Sequence, residues 1–190
     1  MVKKLDYSDK IIEPFAITTI ANSYDAVYNS FFWNKKKDDF DFINNALGVG
    51  LEVSVVITKN TQTVVSYQNS LRKDITTIKL AMFDENSELR AWYGGSGGEL
   101  RNLIVERILL KNTKAKKHIR PEIKECQLCL CVDDGGWFEK ESEFDFLKSM
   151  KLNEDVIFHK IFIITSSLFL VYEGDKITRY PRKVCGTGSI

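Results

Sequence analysis

An excess of charge of one sign is missing from this chain. Its 190 residues carry 27 Lys and Arg against 26 Asp and Glu, a formal net charge of +1. That excludes a globally basic surface for a polyanion, so any nucleic-acid contact must come from a local patch. A long hydrophobic run is missing as well. The longest, around IFIITSSLFLVY, is broken by Thr165, Ser166 and Ser167, too short and too polar to span a membrane. The opening MVKKLDYSDKIIEPF has lysines but no apolar stretch, so it does not read as a secretory signal. The expectation is a cytoplasmic protein with no membrane partner. Histidine is down to two, without an H-E-x-x-H pair, and there is no G-x-S-x-G elbow, which argues against zinc proteases and serine hydrolases. GGSGG before a helix lacks the G-K-[ST] ending of a phosphate loop and reads as a turn.

Four cysteines are present, three of them in ECQLCLCVDD as Cys126, Cys129 and Cys131, with Cys185 near the end. A C-x-x-C pair invites zinc, but no second ligand pair stands at a comparable spacing. The alternation of Leu128, Leu130 and Val132 with Cys129 and Cys131 describes instead a strand buried on both faces.

What is present is a chain of ordinary globular composition, one domain over 1–190 with its core at about 12–172. Apolar residues from Pro14 to Phe32 recur at helical spacing, with Pro14 suited to a first turn. FDFI and GLEVSVVIT read as a hairpin joined by NNALGV. TQTVVSYQNSLRKD is ambiguous, and ITTIKLAMF with ELRAWY suggests a second hairpin or a strand and a helix. After GGSGG, Leu100, Leu103, Ile104, Ile108 and Leu109 mark one face of a helix that Pro121 forbids from continuing. ECQLCLCV is a strand, DDGGW a turn, SEFDFLKSM a short helix, and VIFHKIFIIT and LFLVYEG two last strands before a polar tail. The order implies an α/β fold, with a mixed central sheet flanked by helices.

The hairpin carries the chemistry. In DDFDFINNALGVGLEVSVV, residues 38–56, Asp39 and Asp41 share one face of their strand, and Glu52 shares one with Ser54. Pairing the strands brings carboxylates together, and converging carboxylates repel unless one is protonated or a cation lies between them. Mg²⁺ (or Mn²⁺) takes oxygen ligands and needs only one or two protein carboxylates. Such an ion suits phosphodiester hydrolysis, polarising a phosphoryl oxygen and acidifying a bound water. The plainer reading is a strand edge with solvated acids.

A helix followed by DF-I, a turn and G-L-E-V-S resembles the core of the PD-(D/E)XK, or restriction-endonuclease-like, nuclease superfamily. The likeness is greatest to the branch whose second motif reads E-V-T or E-V-S. The basic helix ELRNLIVERILLKNTKAKK, the strand CQLCLCV and F-x-K-I-F-I-I extend it. The resemblance implies a metal-dependent endonuclease on DNA, less so RNA, with a restriction or defence role. It implies Asp41 as first metal ligand, with Asp39 as its alternate, and Glu52 as second. Ser54 stands where the superfamily often has its lysine, so that amine must come from elsewhere. Lys111 is the first candidate, since Ile104, Ile108 and Lys111 lie on nearly one helix face, and Lys59 is the second. Without an amine in reach, the fold would serve as a non-catalytic nucleic-acid- or protein-binding module, which is the rival reading. Many nucleases of this fold act as homodimers, and LFLVYEG would suit an edge strand for pairing.

Lys111, Lys114, Lys116, Lys117, His118 and Arg120 form a basic cluster at the helix end. Lys114, Lys116, Lys117 and Arg120 are candidate contacts to nucleic-acid phosphates, with Lys35, Lys36 and Lys37 a further basic run. The competing reading is cations complementing a helix C-terminus. His159 reads as a core or edge residue, and Tyr67 and Gln68 as polar residues behind the hairpin.

Overall fold

The first helix, α1 (Asp9–Ser23), starts a turn earlier than its proline suggests, so Pro14 lies inside it. It also ends well short of Phe32. Asp25 takes an extended backbone (φ −150°, ψ 126°) and its carboxylate accepts the Val27 N–H at 2.9 Å, opening a separate 3₁₀ turn over Ala26–Ser30. Short polar side chains bonding the nearby backbone compete with helix continuation, and a Ser-Tyr-Asp step supplies them. Tyr28 in this turn nevertheless stays buried, which preserves the apolar spacing seen in the sequence.

The computed structural model describes residues 9–34, 39–57, 97–133, 138–149 and 156–183. The expectations for TQTVVSYQNSLRKD, ITTIKLAMF, ELRAWY and the DDGGW turn, and for Lys35, Lys36, Lys37, Lys59, Tyr67, Gln68 and Cys185, lie outside them. Among the described residues, seven strands form one mixed sheet in sequence order: β1 (Phe32–Trp33), β2 (Phe42–Asn44), β3 (Val49–Val56), β4 (Glu125–Val132), β5 (Phe158–Ile164), β6 (Phe169–Glu173) and β7 (Lys176–Tyr180). The β3–β4 and β4–β5 pairs are parallel and the rest antiparallel. Parallel neighbours need a crossover, and helix α2 (Gly97–Ala115) lies in the one between β3 and β4. A 3₁₀ turn (Glu141–Phe144) and a single turn, α3 (Phe146–Ser149), lead into β5. The α/β class with helices flanking a mixed sheet is therefore observed.

The sheet separates two apolar layers. Against one face α1 packs Ile12, Ala16 and Ile20 on Leu51, Val53, Cys129, Cys131 and Phe162. Against the other α2 packs Leu100, Ile104 and Ile108 with Leu128, Leu130 and Phe40. Strand β4 is buried on both faces, and its three cysteines are free thiols within it. Leu109, expected on the buried face of α2, is 46% exposed.

LFLVYEG is not an edge. A Gly174–Asp175 turn with φ of 53° and 62° folds β7 back onto β6, pairing Glu173 with Lys176. Two consecutive positive φ values are what a tight two-residue hairpin requires, and Gly-Asp supplies them at low strain. Thus β6 lies between β5 and β7, and the expected pairing surface is already occupied by the chain's own next strand.

His159 is explained by a bulge. Cys126 pairs with Phe158 and Gln127 with Lys160, so His159 is the extra residue. Its Nδ1 accepts the Cys126 N–H at 3.4 Å, meeting a backbone donor that the irregular ladder leaves over.

Candidate active site

The site is assembled from the β2–β3 hairpin and one face of α2. Residues 45–48 turn the chain, ending at Gly48 with φ 68°. The Gly48 carbonyl accepts the N–H groups of Lys124 and Glu125 at 2.7 and 3.1 Å, which ties the hairpin to the start of β4. Two residues on, Gly50 leaves room for Phe40. A Cβ there would lie 2.7 Å from the Phe40 ring, whose side chain is fully buried.

Strand β2 begins only at Phe42, which pairs with Leu51. Asp39 and Asp41 therefore precede the regular strand, and the alternation that would put them on one face does not govern them. They part company. Asp39 meets Arg120, with Nη1 to Oδ2 at 3.0 Å, and its other oxygen accepts the Phe40 N–H. Partial burial pushes the Asp39 carboxyl up, but the bonds from Phe40, Asn34 and Arg120 outweigh that and leave it below its ordinary value. Asp41 points into the space between hairpin and helix. Its Oδ2 accepts the Val53 N–H at 2.7 Å, a side-chain bond in place of the ladder, and lies 3.7 Å from Lys111 Nζ.

Glu52 is the centre of the arrangement. Its side chain has no exposed surface. Its Oε2 accepts a 2.6 Å bond from Lys111 Nζ, with Lys114 Nζ at 3.9 Å. Its Oε1 has no hydrogen-bond partner, and neither has the buried His118 Nδ1 that faces it at 3.5 Å. The His118 ring stands edge-on to Phe40, centroids 5.9 Å apart.

Helical spacing explains how α2 reaches the site. Leu100, Ile104 and Ile108 are fully buried, and Lys111 continues their stripe at i+3 from Ile108. Its stem thus lies along the apolar layer while its ammonium, 14% exposed, arrives beside the acids. Burial raises the Asp41 carboxyl, Lys111 draws it down and Glu52 pushes it up again, leaving it above its ordinary value.

The structure thus brings together Asp41, Glu52 and Lys111, with Lys114 near them. Of the basic cluster, Arg120 is engaged by Asp39, while Lys116 and Lys117 are exposed just beyond α2. Sequence reasoning placed His118 only among the cations. The signal that would have found it is its spacing, seven residues after Lys111 on the same side of the helix and its terminal turn. Among the described residues, no three His, Cys, Asp or Glu side chains converge as a ready metal cage. An ion here would rest on two protein donors and keep water in its other positions, as Mg²⁺ commonly does. The unpartnered Glu52 Oε1 fits that role, because a buried carboxylate oxygen without a donor is what a cation satisfies.

Comparison with protein-family models, curated proteins and solved structures returned no match.

Proposed function

We propose that this chain is a metal-dependent nuclease of restriction-endonuclease-like fold that hydrolyses phosphodiester bonds in nucleic acid, DNA before RNA. One observation carries the reading: acids from the two arms of a hairpin meet under a lysine delivered by the crossover helix. Asp41 and Glu52 would hold Mg²⁺ or Mn²⁺. When bound, such an ion supplies a Lewis acid for the phosphoryl oxygen and a water of lowered pKa. Lys111 has donors beyond the one it gives Glu52, and these suit the charge that develops on phosphate. Lys114, Lys116 and Lys117 offer the substrate backbone a cationic approach without reading its sequence.

The rival is a binding module without catalysis, and it has its own observation. Lys111 already neutralises Glu52 at 2.6 Å, as a purely structural ion pair would. Incubation of the purified protein with linear, circular and single-stranded DNA and with RNA, with Mg²⁺ or Mn²⁺, separates the two. The nuclease reading expects cleavage that is lost in Asp41→Asn, whose fold is checked by its thermal melt. Wild-type protein that binds these substrates and cuts none with either ion would establish the rival.

A further inference from the structure

Glu52 divides its two oxygens. Oε2 takes the Lys111 ammonium at 2.6 Å, while Oε1 faces His118 Nδ1 at 3.5 Å, and neither of those last two atoms has a hydrogen-bond partner. Both side chains are more than nine-tenths buried, at 0% and 7% exposure. Leaving a buried polar atom unpaired costs about 1–3 kcal/mol, and a cation held by both atoms would remove that cost for each. The spacing suits one. An ion bonded to both at about 2.1–2.2 Å would see them about 110° apart, within ordinary coordination angles.

We propose that His118 is a direct metal ligand together with Glu52, and that the site therefore takes a first-row divalent transition metal in preference to Mg²⁺. The imidazole nitrogen decides the preference. Mg²⁺ favours oxygen donors, whereas imidazole suits the first-row transition metals. Phe40 fixes the ring's plane by its edge-on contact. Asp41, more exposed at 17%, lies on the Lys111 side of Glu52, 3.7 Å from that ammonium, and water would fill the remaining positions of the ion. This assignment rests on the metal-dependent reading above for the presence of an ion, but not for any reaction.

The test reads coordination rather than cleavage. Wild-type protein carrying ¹⁵N-histidine is loaded with Mn²⁺ and studied by pulsed EPR, and Mn²⁺ and Mg²⁺ affinities are measured by calorimetry. The expected results are a histidine-nitrogen coupling on Mn²⁺ and an affinity at least about tenfold above that for Mg²⁺. In His118→Gln the coupling disappears and Mn²⁺ affinity falls about 10–100-fold, while Mg²⁺ affinity changes little. Bound Mn²⁺ without a histidine signal, or a Mn²⁺/Mg²⁺ ratio unchanged by His118→Gln, overturns the assignment. Should that variant fail to fold, the wild-type EPR signal alone decides. Nitrogen coupling without cleavage of any substrate would sink the nuclease reading and leave His118 a ligand. Cleavage that needs Asp41 and Glu52 but ignores His118 would do the reverse.

Discussion

The two faces of the sheet bury polar groups in opposite ways. On the α1 face Tyr28 donates to Gln127 Oε1 at 2.9 Å, and Gln127 Nε2 donates on to Glu125 Oε1 at 2.5 Å. Burial holds the Tyr28 hydroxyl neutral, far above its ordinary pKa despite the Gln127 bond. On the α2 face a carboxylate with no exposure meets an ammonium, a second carboxylate and an imidazole, and two atoms are left without partners. A relay in which each buried group finds a partner, ending on the half-buried Glu125 carboxylate, is what a core tolerates when polarity serves packing. A buried charge cluster with unmet valence is a costly arrangement, and such clusters gather where chemistry needs them.

Breaking the charged side should cost most. Lys111→Met takes the nearest cation from Glu52, and on the nuclease reading proposed above cleavage should fall by at least about two orders of magnitude, as for loss of other groups that stabilise developing charge. Stability should fall by up to about 3–5 kcal/mol, because the buried Glu52 charge keeps only Lys114 at 3.9 Å and His118 at 3.5 Å. The double change Lys111→Met/Glu52→Gln should recover much of that stability and none of the cleavage. Urea unfolding and a gel assay read both quantities. Additive losses in the double variant would deny that the two residues form a unit.

Gly50→Ala comes next. Its new methyl meets the buried Phe40 ring at 2.7 Å, so the ring must move, at about 1–3 kcal/mol of overpacking. Because Phe40 is covalently next to Asp39 and Asp41 and touches His118, metal affinity should drop with stability. Unchanged metal binding in a destabilised Gly50→Ala protein would separate Phe40 from the site. On the α1 face, Tyr28→Phe removes one hydrogen bond and should cost about 1–2 kcal/mol without altering metal affinity or cleavage. If it reduced cleavage as Lys111→Met does, the contrast between the faces would fail.

The Asp39–Arg120 clamp sharpens the comparison through pH. Asp39 is held below its ordinary carboxylate value in the folded chain, so its contribution is fully present above that value. It is lost as pH falls through the folded one. Wild-type stability should therefore decline in acid more steeply than that of Arg120→Met, with the two converging at low pH. Parallel pH–stability curves would show that Arg120 does not hold the carboxylate. Smallest of all should be the exposed Lys148–Asp145 pair, worth about 0.5 kcal/mol or less.

Much of this was legible in the residues and some was not. Strand β4 could be read because apolar residues on both faces of a run leave it nowhere but the middle of a sheet. Lys111 could be read because the helical repeat carries a buried stripe to it from Ile104 and Ile108. The end of α1 escaped because Tyr28 keeps helical spacing while the backbone does not. Strand β7 had its Gly-Asp signal in plain view, but polar KITRY hid the strand that follows. His118 escaped because a histidine among lysines looks like one more cation until something shows what it faces.

The local periods, two for strands and three and a half or so for helices, were set by the residues themselves. With them came the hairpin, the buried β4 and the stripe on α2. Which aspartate joins Glu52, which oxygen Lys111 takes and what lies opposite the other could be decided only in three dimensions. The reason is physical. Asp41, Glu52, Lys111 and His118 converge through an antiparallel register on one side and a parallel crossover on the other. No periodicity within a single element encodes a distance between elements.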